Sequence, residues 1–425
     1  MSVSKLRSHP RDGWRPTTYL SAAGLVASFI GWCGTADADS SPQPPSAVLH
    51  GYYWKHSALI LPVAGDDVRS VAIESNADTG MPPLVAVGGI EGVVVYAYKS
   101  LVQNTPPSWH KEATLLAGLV SLSGNRLAIG TPDNGAGHVQ VYTRAKSGIW
   151  SAMGTPVYPP VQALAEEFGR SLELDGDTLV VGMPNLDTGK AYIFELQRNN
   201  QWAQTAELGT EPGIAVPGSH FGGTVGVSDG YVLVAQLPPS APGVVYEYHK
   251  DGGAWSLSQT LTARDPANPT QPALASDLQA QQFGKTFEVR GTELAVRSKG
   301  YVQMFDREPI DNTWTYSETF SAGPTMPILT GRDLRSIAFD GKSLLIGEPL
   351  AEKNGIVAGR VRPRLGPYAY PMFPIAYLPG VTPDNSIREN PLEADVQFGK
   401  VTAVDGSWLI VGDNDHARLY RMTAY

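Results

Sequence analysis

The chain has almost no cysteine: one residue, Cys33, in 425. That excludes a fold stapled by disulfides and a cysteine-built zinc or redox centre. Charge is sparse too, at 17% Asp, Glu, Lys and Arg, and its balance is acidic, with a formal net charge of -9. Nucleic acid and anionic membrane surfaces both call for a basic footprint, so neither is expected as a partner. Histidine numbers only 8, and no His-Glu-x-x-His occurs, which removes the local signature of a zinc protease. What the chain does have is turn formers, Gly 45 and Pro 34, together with 42% hydrophobic residues. Many short strands around a sizeable core would use both.

Residues 1–38 read as a secretory leader. Lys5, Arg7, Arg11 and Arg15 outnumber Asp12 and Asp37, an apolar run extends from Tyr19 to Cys33, and Ala36-Asp37-Ala38 has the small-x-small layout of a cleavage site. The apolar run is shorter than the roughly 20 residues a spanning helix needs, so no transmembrane segment is expected after cleavage. Trp32 before Cys33 departs from the small residue of a lipidation motif. Residues 39–49, rich in serine and proline from Ser40 to Ser46, read as a solvated linker. The expected location is secreted, periplasmic or cell-surface.

From residue 50 to 425 one unit recurs. Its clearest copy, 168–208, holds four strand-like runs, FGRSLEL, DTLVVGM, KAYIFEL and QWAQTAEL, with Asp175-Gly176 and Thr188-Gly189 as tight turns. Seven such units follow one another, and the last stops one strand short at Tyr425. Residues 54–62, WKHSALILP, have the form of a fourth strand and precede the first unit. A linear solenoid has no reason to start one strand out of phase, whereas a ring that pairs its first and last strands does. The expectation is an all-β fold: a seven-bladed β-propeller of four-stranded antiparallel blades, spanning 50–425, its ring closed by the N-terminal strand completing the C-terminal blade.

Phe168-Gly169 heads a first strand, Gly182-Met183-Pro184 follows the second, and Tyr192-Ile193-Phe194 lies in the third. Gly130-Thr131-Pro132 and Gly347-Glu348-Pro349 keep the loop, while Phe221-Gly222, Phe283-Gly284 and Phe398-Gly399 keep the strand head. This pattern resembles the FG-GAP repeat of integrin α-chain N-terminal propellers and related bacterial exported proteins. The resemblance implies a propeller that serves adhesion, carbohydrate binding or, rarely, catalysis. Integrin-type propellers hold calcium in an Asp-rich loop between first and second strands; Asp175-Gly176-Asp177 is a hairpin turn, too short for the six to eight oxygen ligands calcium takes. Asp413-Asn414-Asp415-His416 is the better acidic cluster for calcium, but a polar loop explains it equally, and no cofactor is expected.

The tryptophans at fourth-strand starts (Trp54, Trp109, Trp150, Trp202, Trp255 and Trp314) could stack on sugars, yet their fixed place in the repeat points to packing between blades. His138, Lys190 and His416 all open third strands. The blade-joining loops 156–167, 210–220, 263–282, 323–333 and 379–397 vary while the scaffold repeats, which is where a propeller places its binding surface. Those loops and the Gly-x-Pro loops share one face. Asp133, Asn134, Asn185, Asp187, Glu348, Asp413 and Asp415 are therefore expected on a common exposed acidic rim that binds a protein or glycan. The expected protein is a monomeric, non-catalytic binding module. A secreted hydrolase or lyase working at the central channel, and a structural module of an envelope assembly, remain alternatives; carboxylates and histidines converging in the channel would favour the enzyme.

Overall fold

The computed structural model describes residues 52–63, 66–76, 79–132, 136–160, 167–186, 188–209, 218–239, 241–274, 276–277, 280–321, 336–349, 352–353, 356–357, 360–363, 387 and 397–424. The expected leader and linker lie outside them, as do parts of all five blade-joining loops. Among the described residues no helix occurs, and so none is long and apolar enough to cross a membrane.

The strands form seven antiparallel blades. Blade 1 is Ser70–Glu74, Leu84–Gly88, Val93–Lys99 and Ser108–Leu115; blade 2 is Leu119–Ser123, Arg126–Gly130, Val139–Arg144 and Trp150–Ala152. Blade 3 comprises Ser171–Asp175, Thr178–Met183, Lys190–Leu196 and Trp202–Leu208, and blade 4 comprises Val225–Ser228, Tyr231–Gln236, Val244–Asp251 and Ala254–Thr262. Blade 5 runs through Thr286–Arg290, Glu293–Arg297, Tyr301–Arg307 and Trp314–Ser321, while blade 6 shows three strands among the described residues, Ser336–Phe339, Leu344–Glu348 and Arg360–Pro363. Blade 7 is Val401–Asp405, Trp408–Gly412 and Ala417–Ala424, with Tyr52–Ile60 paired to its outer edge from Tyr52 opposite Ala424 to Ile60 opposite Ala417. That pairing slips by one residue between His56 and Ala58, and the fourth strands of blades 1, 3, 4 and 5 show the same slip. The closing strand thus has the geometry of a fourth strand as well as the position.

First strands touch one another around a complete circle and line the axis. The core is divided accordingly into seven apolar clusters, one at each junction between neighbouring blades. Second strands are covered on both sides, so Leu84–Gly88 and Trp408–Gly412 are buried throughout and read as unbroken apolar runs. Fourth strands are half-exposed and alternate, as in Trp202–Leu208.

The repeat motifs are junction hardware. Phe168, Phe221, Phe283 and Phe398 are fully buried plugs in four of the clusters. After Phe221, Gly222 has φ 84° and lies so close to blade 3 that a Cβ would stand 2.1 Å from the Lys190 carbonyl oxygen, so only glycine fits. Gly182 of the Gly-x-Pro loop meets that same Gly222: a Cβ on it would be 2.0 Å from the Gly222 carbonyl oxygen, which also accepts the Ser171 hydroxyl at 2.6 Å.

The tryptophans also serve packing between blades. Trp54, Trp150, Trp202 and Trp314 are buried. At two junctions the indole shares a buried glutamate of the preceding blade with an arginine opposite it: Glu112 with Arg144 and Trp150, Glu247 with Arg307 and Trp314. Burial alone would raise the Glu112 carboxyl; Arg144 and Lys99 outweigh it and hold it below the usual range. At a third junction Glu195 takes Lys250, beside Trp255, at 2.6 Å.

Candidate functional site

Antiparallel meanders send the first-to-second and third-to-fourth connections to one end of the ring, and the second-to-third and blade-joining connections to the other. The latter end is called the mouth here. Asn185 lies there, exposed on the wall of a cavity, and Asp415 is also exposed there. Asp133, Asn134 and Asp187 lie outside the described residues. Glu348 and Asp413 depart from the expected exposed rim. Both are buried: Glu348 pairs with Arg360 at 2.6 Å, and Asp413 pairs with Arg418 while accepting the N–H groups of Asp415 and His416 at 2.8 and 2.7 Å. A carboxylate covered by protein keeps its charge only beside a cation, and the neighbouring third strand supplies one in each case. Calcium at the Asp413 cluster would have to displace the Arg418 guanidinium. Among the described residues no group of three or more acidic, histidine or cysteine side chains could hold a metal.

Cations stand at the mouth as well, at the heads of several first strands. The residue immediately before the first strand is Arg69 in blade 1, Gly118 in blade 2, Arg170 in blade 3, Gly223 in blade 4 (one residue further back), Lys285 in blade 5 and Lys400 in blade 7. In blades 3, 4, 5 and 7 it follows Phe-Gly. Two cavities open between these cations. One of about 390 Å³ is flanked by Arg69 and Arg170 with Gly118 between them, and one of about 270 Å³ by Arg170 and Lys285 with Gly223 between them. Gly118 marks a close approach of backbones, since a Cβ on it would stand 2.2 Å from the Gly130 carbonyl oxygen. Burial first, then Arg297 and Arg170, pushes the Lys285 ammonium pKa down. Lys400 is neutralised by Asp67 at 2.6 Å, and Glu167 approaches Arg170 to 3.8 Å. His138 bonds the Thr131 hydroxyl at 2.8 Å and stacks on exposed Tyr158; burial pushes its pKa down. Lys190 is held by Glu207 at 3.0 Å.

The axis itself is acidic. Third from the hairpin end of the first strand stand Glu173 in blade 3 and Glu288 in blade 5, flanking Gly226 of blade 4; the equivalent positions of blades 1, 2 and 7 hold only Ala72, Ser121 and Ala403. Packed protein surrounds Glu173 even though part of its surface opens to the channel, and its carboxyl is pushed up to about 8 by that burial and then by Glu288. Arg290 lies 3.6 Å from Glu288; burial works against its charge, and Glu288, Glu173, Asp405 and Glu74 outweigh that. The space they enclose is about 80 Å³.

At the hairpin end, side chains of one blade hold the turn of the next. Asp405 accepts the Ser75 N–H at 2.5 Å, Glu74 that of Gly124 at 3.0 Å, Ser123 that of Gly176 at 3.0 Å, Asp175 that of Asp229 at 3.3 Å and Ser228 that of Gly291 at 3.1 Å. Gly226-Val227-Ser228-Asp229-Gly230 has the spacing of a nucleophile elbow, but it forms one of these strand-to-strand hairpins instead of a strand-to-helix turn, and its serine is engaged in the relay.

No protein-family model matches this chain, and no curated relative matches it. Solved structures similar to it include a chain from the crystal structure of the mitotic checkpoint complex, at 12% identity and a TM-score of 0.53, covering 92% of this chain and 98% of that one. Another is the β-propeller domain of Cps50 (Swd1) from Myceliophteria thermophila, at 10% identity and a TM-score of 0.52, covering 87% of this chain and 100% of that one. At these identities the likeness is one of fold: the chain is a seven-bladed β-propeller.

Proposed function

We propose that this propeller is an exported binding module that recognises a protein ligand at its mouth. The observation that carries the reading is the pair of cavities there, of about 390 and 270 Å³, at the end where the non-repetitive connections gather. Ligand pockets usually measure about 300–1,000 Å³, a range that the larger cavity meets and the smaller falls just short of. The channel supplies converging carboxylates, as the hydrolase alternative requires, but its free space of about 80 Å³ suits a few waters. The protein-ligand reading is also supported by the fold likeness to a chain of the mitotic checkpoint complex. The contact between Phe-Gly and Gly-x-Pro glycines of neighbouring blades supports reading the repeats as FG-GAP type. Export rests on the layout of residues 1–38; N-terminal sequencing of exported material should begin at Asp39, and a start at Met1 would remove that part. The binding face is tested with a photo-crosslinking residue placed at exposed Tyr158 on the mouth or at exposed Lys146 on the opposite face. A ligand crosslinking at Tyr158 and not at Lys146 supports the reading; the reverse rejects it.

A further inference from the structure

Resting on that reading of the mouth, we infer that the smaller cavity takes the main chain of an extended, uncharged peptide segment, hydrogen-bonded by the side chains of His220 and Gln282. The backbone singles these residues out. Among the described residues nine that are not glycine have positive φ. Five are Asn76, Asn104, Asn200, Asp229 and Asn312, of the types that tolerate the left-handed region best, and all lie in first-to-second or third-to-fourth connections, away from the mouth. The other four, Glu167, His220, Gln282 and Gln397, each stand immediately before a Phe-Gly head, at φ from 50° to 61°. Where the turn alone matters the chain uses Asn or Asp; at the mouth it holds longer polar side chains in the same strained conformation. Strain of this kind gathers where a side chain has a role beyond the turn.

Three of the four line the cavity of about 270 Å³. Glu167 stands 3.8 Å from Arg170, so those two charges offset one another. The side chains of His220 and Gln282 are exposed and make no hydrogen bond among the described residues. The Gln282 carboxamide carries a donor and an acceptor in one plane, as a peptide unit does, and a neutral imidazole carries one of each. They match the alternating N–H and C=O groups of an extended chain. An anion would meet Glu167 in the wall and a cation would meet Arg170 and Lys285, which favours an uncharged segment. Pro184, Pro238 and Pro239 add a stiff apolar wall that packs without losing side-chain freedom. Among the described residues no Phe, Tyr or Trp lines the cavity, so a sugar would lack the flat aromatic face on which its apolar side stacks.

The test uses the whole protein against an immobilised library of short end-capped peptides, uncharged, acidic and basic, beside an array of glycans. Uncharged peptides should be enriched, and their binding should be nearly indifferent to added salt. Replacing single amides of an enriched peptide by esters, which removes one N–H donor at a time, should weaken binding at some positions. His220→Asn with Gln282→Asn keeps residues suited to positive φ but shortens Gln282 and replaces the imidazole; it should leave the melting temperature unchanged and weaken binding ~10-fold. Gln397→Asn, at the equivalent place in blade 7 and away from the cavity, should change neither. Enrichment of acidic peptides, basic peptides, glycans or nothing, indifference to every ester, or unchanged affinity in the double asparagine variant overturns the inference. If a protein ligand still crosslinks at Tyr158 in that event, the binding face stands without this site. Crosslinking at Lys146 alone removes both.

Discussion

Arg307→Met tests how the blades are held together. The Arg307 side chain is 6% exposed and that of Glu247, in the preceding blade, 1%. The guanidinium centre lies 3.8 Å from the Tyr231 ring centroid and 4.2 Å from that of Trp314. Methionine fills much of the volume and removes the charge, leaving Glu247 with the Trp314 indole N–H at 2.5 Å and the Ser258 hydroxyl at 2.7 Å but no cation. Stranding one member of a buried pair costs about 3–5 kcal/mol. An unfolding entropy of about 0.8 kcal/mol/K for a domain of this length converts that cost to a fall of about 4–6 °C in melting temperature. Calorimetry of wild type, Arg307→Met and the double variant Glu247→Gln/Arg307→Met measures it. Glutamine still accepts from Trp314 and Ser258 without bringing a charge, so the double variant should recover to within ~2 kcal/mol of wild type. A single variant as stable as wild type, or a double variant no better than the single, would falsify the claim that the charge pair clasps blades 4 and 5.

Three further outcomes follow from other parts of the ring. The folded Glu173 carboxyl, at about 8 against 4.5 for the free group, binds a proton that the unfolded chain has released; stability is greatest below the lower value and falls as pH rises toward the upper, by at most about 1.4 kcal/mol per pH unit. Glu173→Gln removes that contribution, so melting curves from pH 5 to 8 should show a shallower decline than wild type, and parallel declines would contradict the channel chemistry. Asp413→Ala should cost about 2–4 kcal/mol by removing the buried ion pair to Arg418 and the acceptor of two backbone donors, while Asp415→Ala on the exposed loop should change stability by less than ~0.5 kcal/mol; equal denaturant midpoints would refute the distinction. Deleting Tyr52–Ile60 removes buried Trp54 and Ile60 from two core clusters and should cost more than ~4 kcal/mol, with an unchanged urea midpoint as the contrary result.

The repeat was legible because backbone contact fixes it. Gly182 and Gly222 touch across a junction, so neither tolerates a side chain and the spacing survives from unit to unit. The phase of the closing strand was legible for a similar reason, since Trp54 carries the indole that other fourth strands bring to a junction. The burial of two expected rim residues was not legible. Glu348 and Asp413 occupy turn-rich segments that look solvated, and the cations that bury them stand across a hairpin, Arg360 at 12 residues and Arg418 at 5. Superposing the repeats on their Phe-Gly heads would have shown Arg170, Lys285 and Lys400 in one column. The channel glutamates had no such marker: Glu173 and Glu288 sit where blades 1, 2 and 7 have alanine or serine, and the packing of consecutive first strands places them on either side of Gly226.

The closing strand has a mechanical consequence. Tyr52 pairs with Ala424 and Ile60 with Ala417, so the two strands run in opposite directions and their outer ends leave the ring side by side. Tension applied at Tyr52 and Ala424 would load the hydrogen bonds of this seam one at a time, as in unzipping, instead of all together as in shear. A load entering through the mouth would instead be shared by junctions around the whole ring. Tethered by both ends and stretched, the protein would therefore yield first at the edge of blade 7, with the other six blades and the cation-lined mouth still folded.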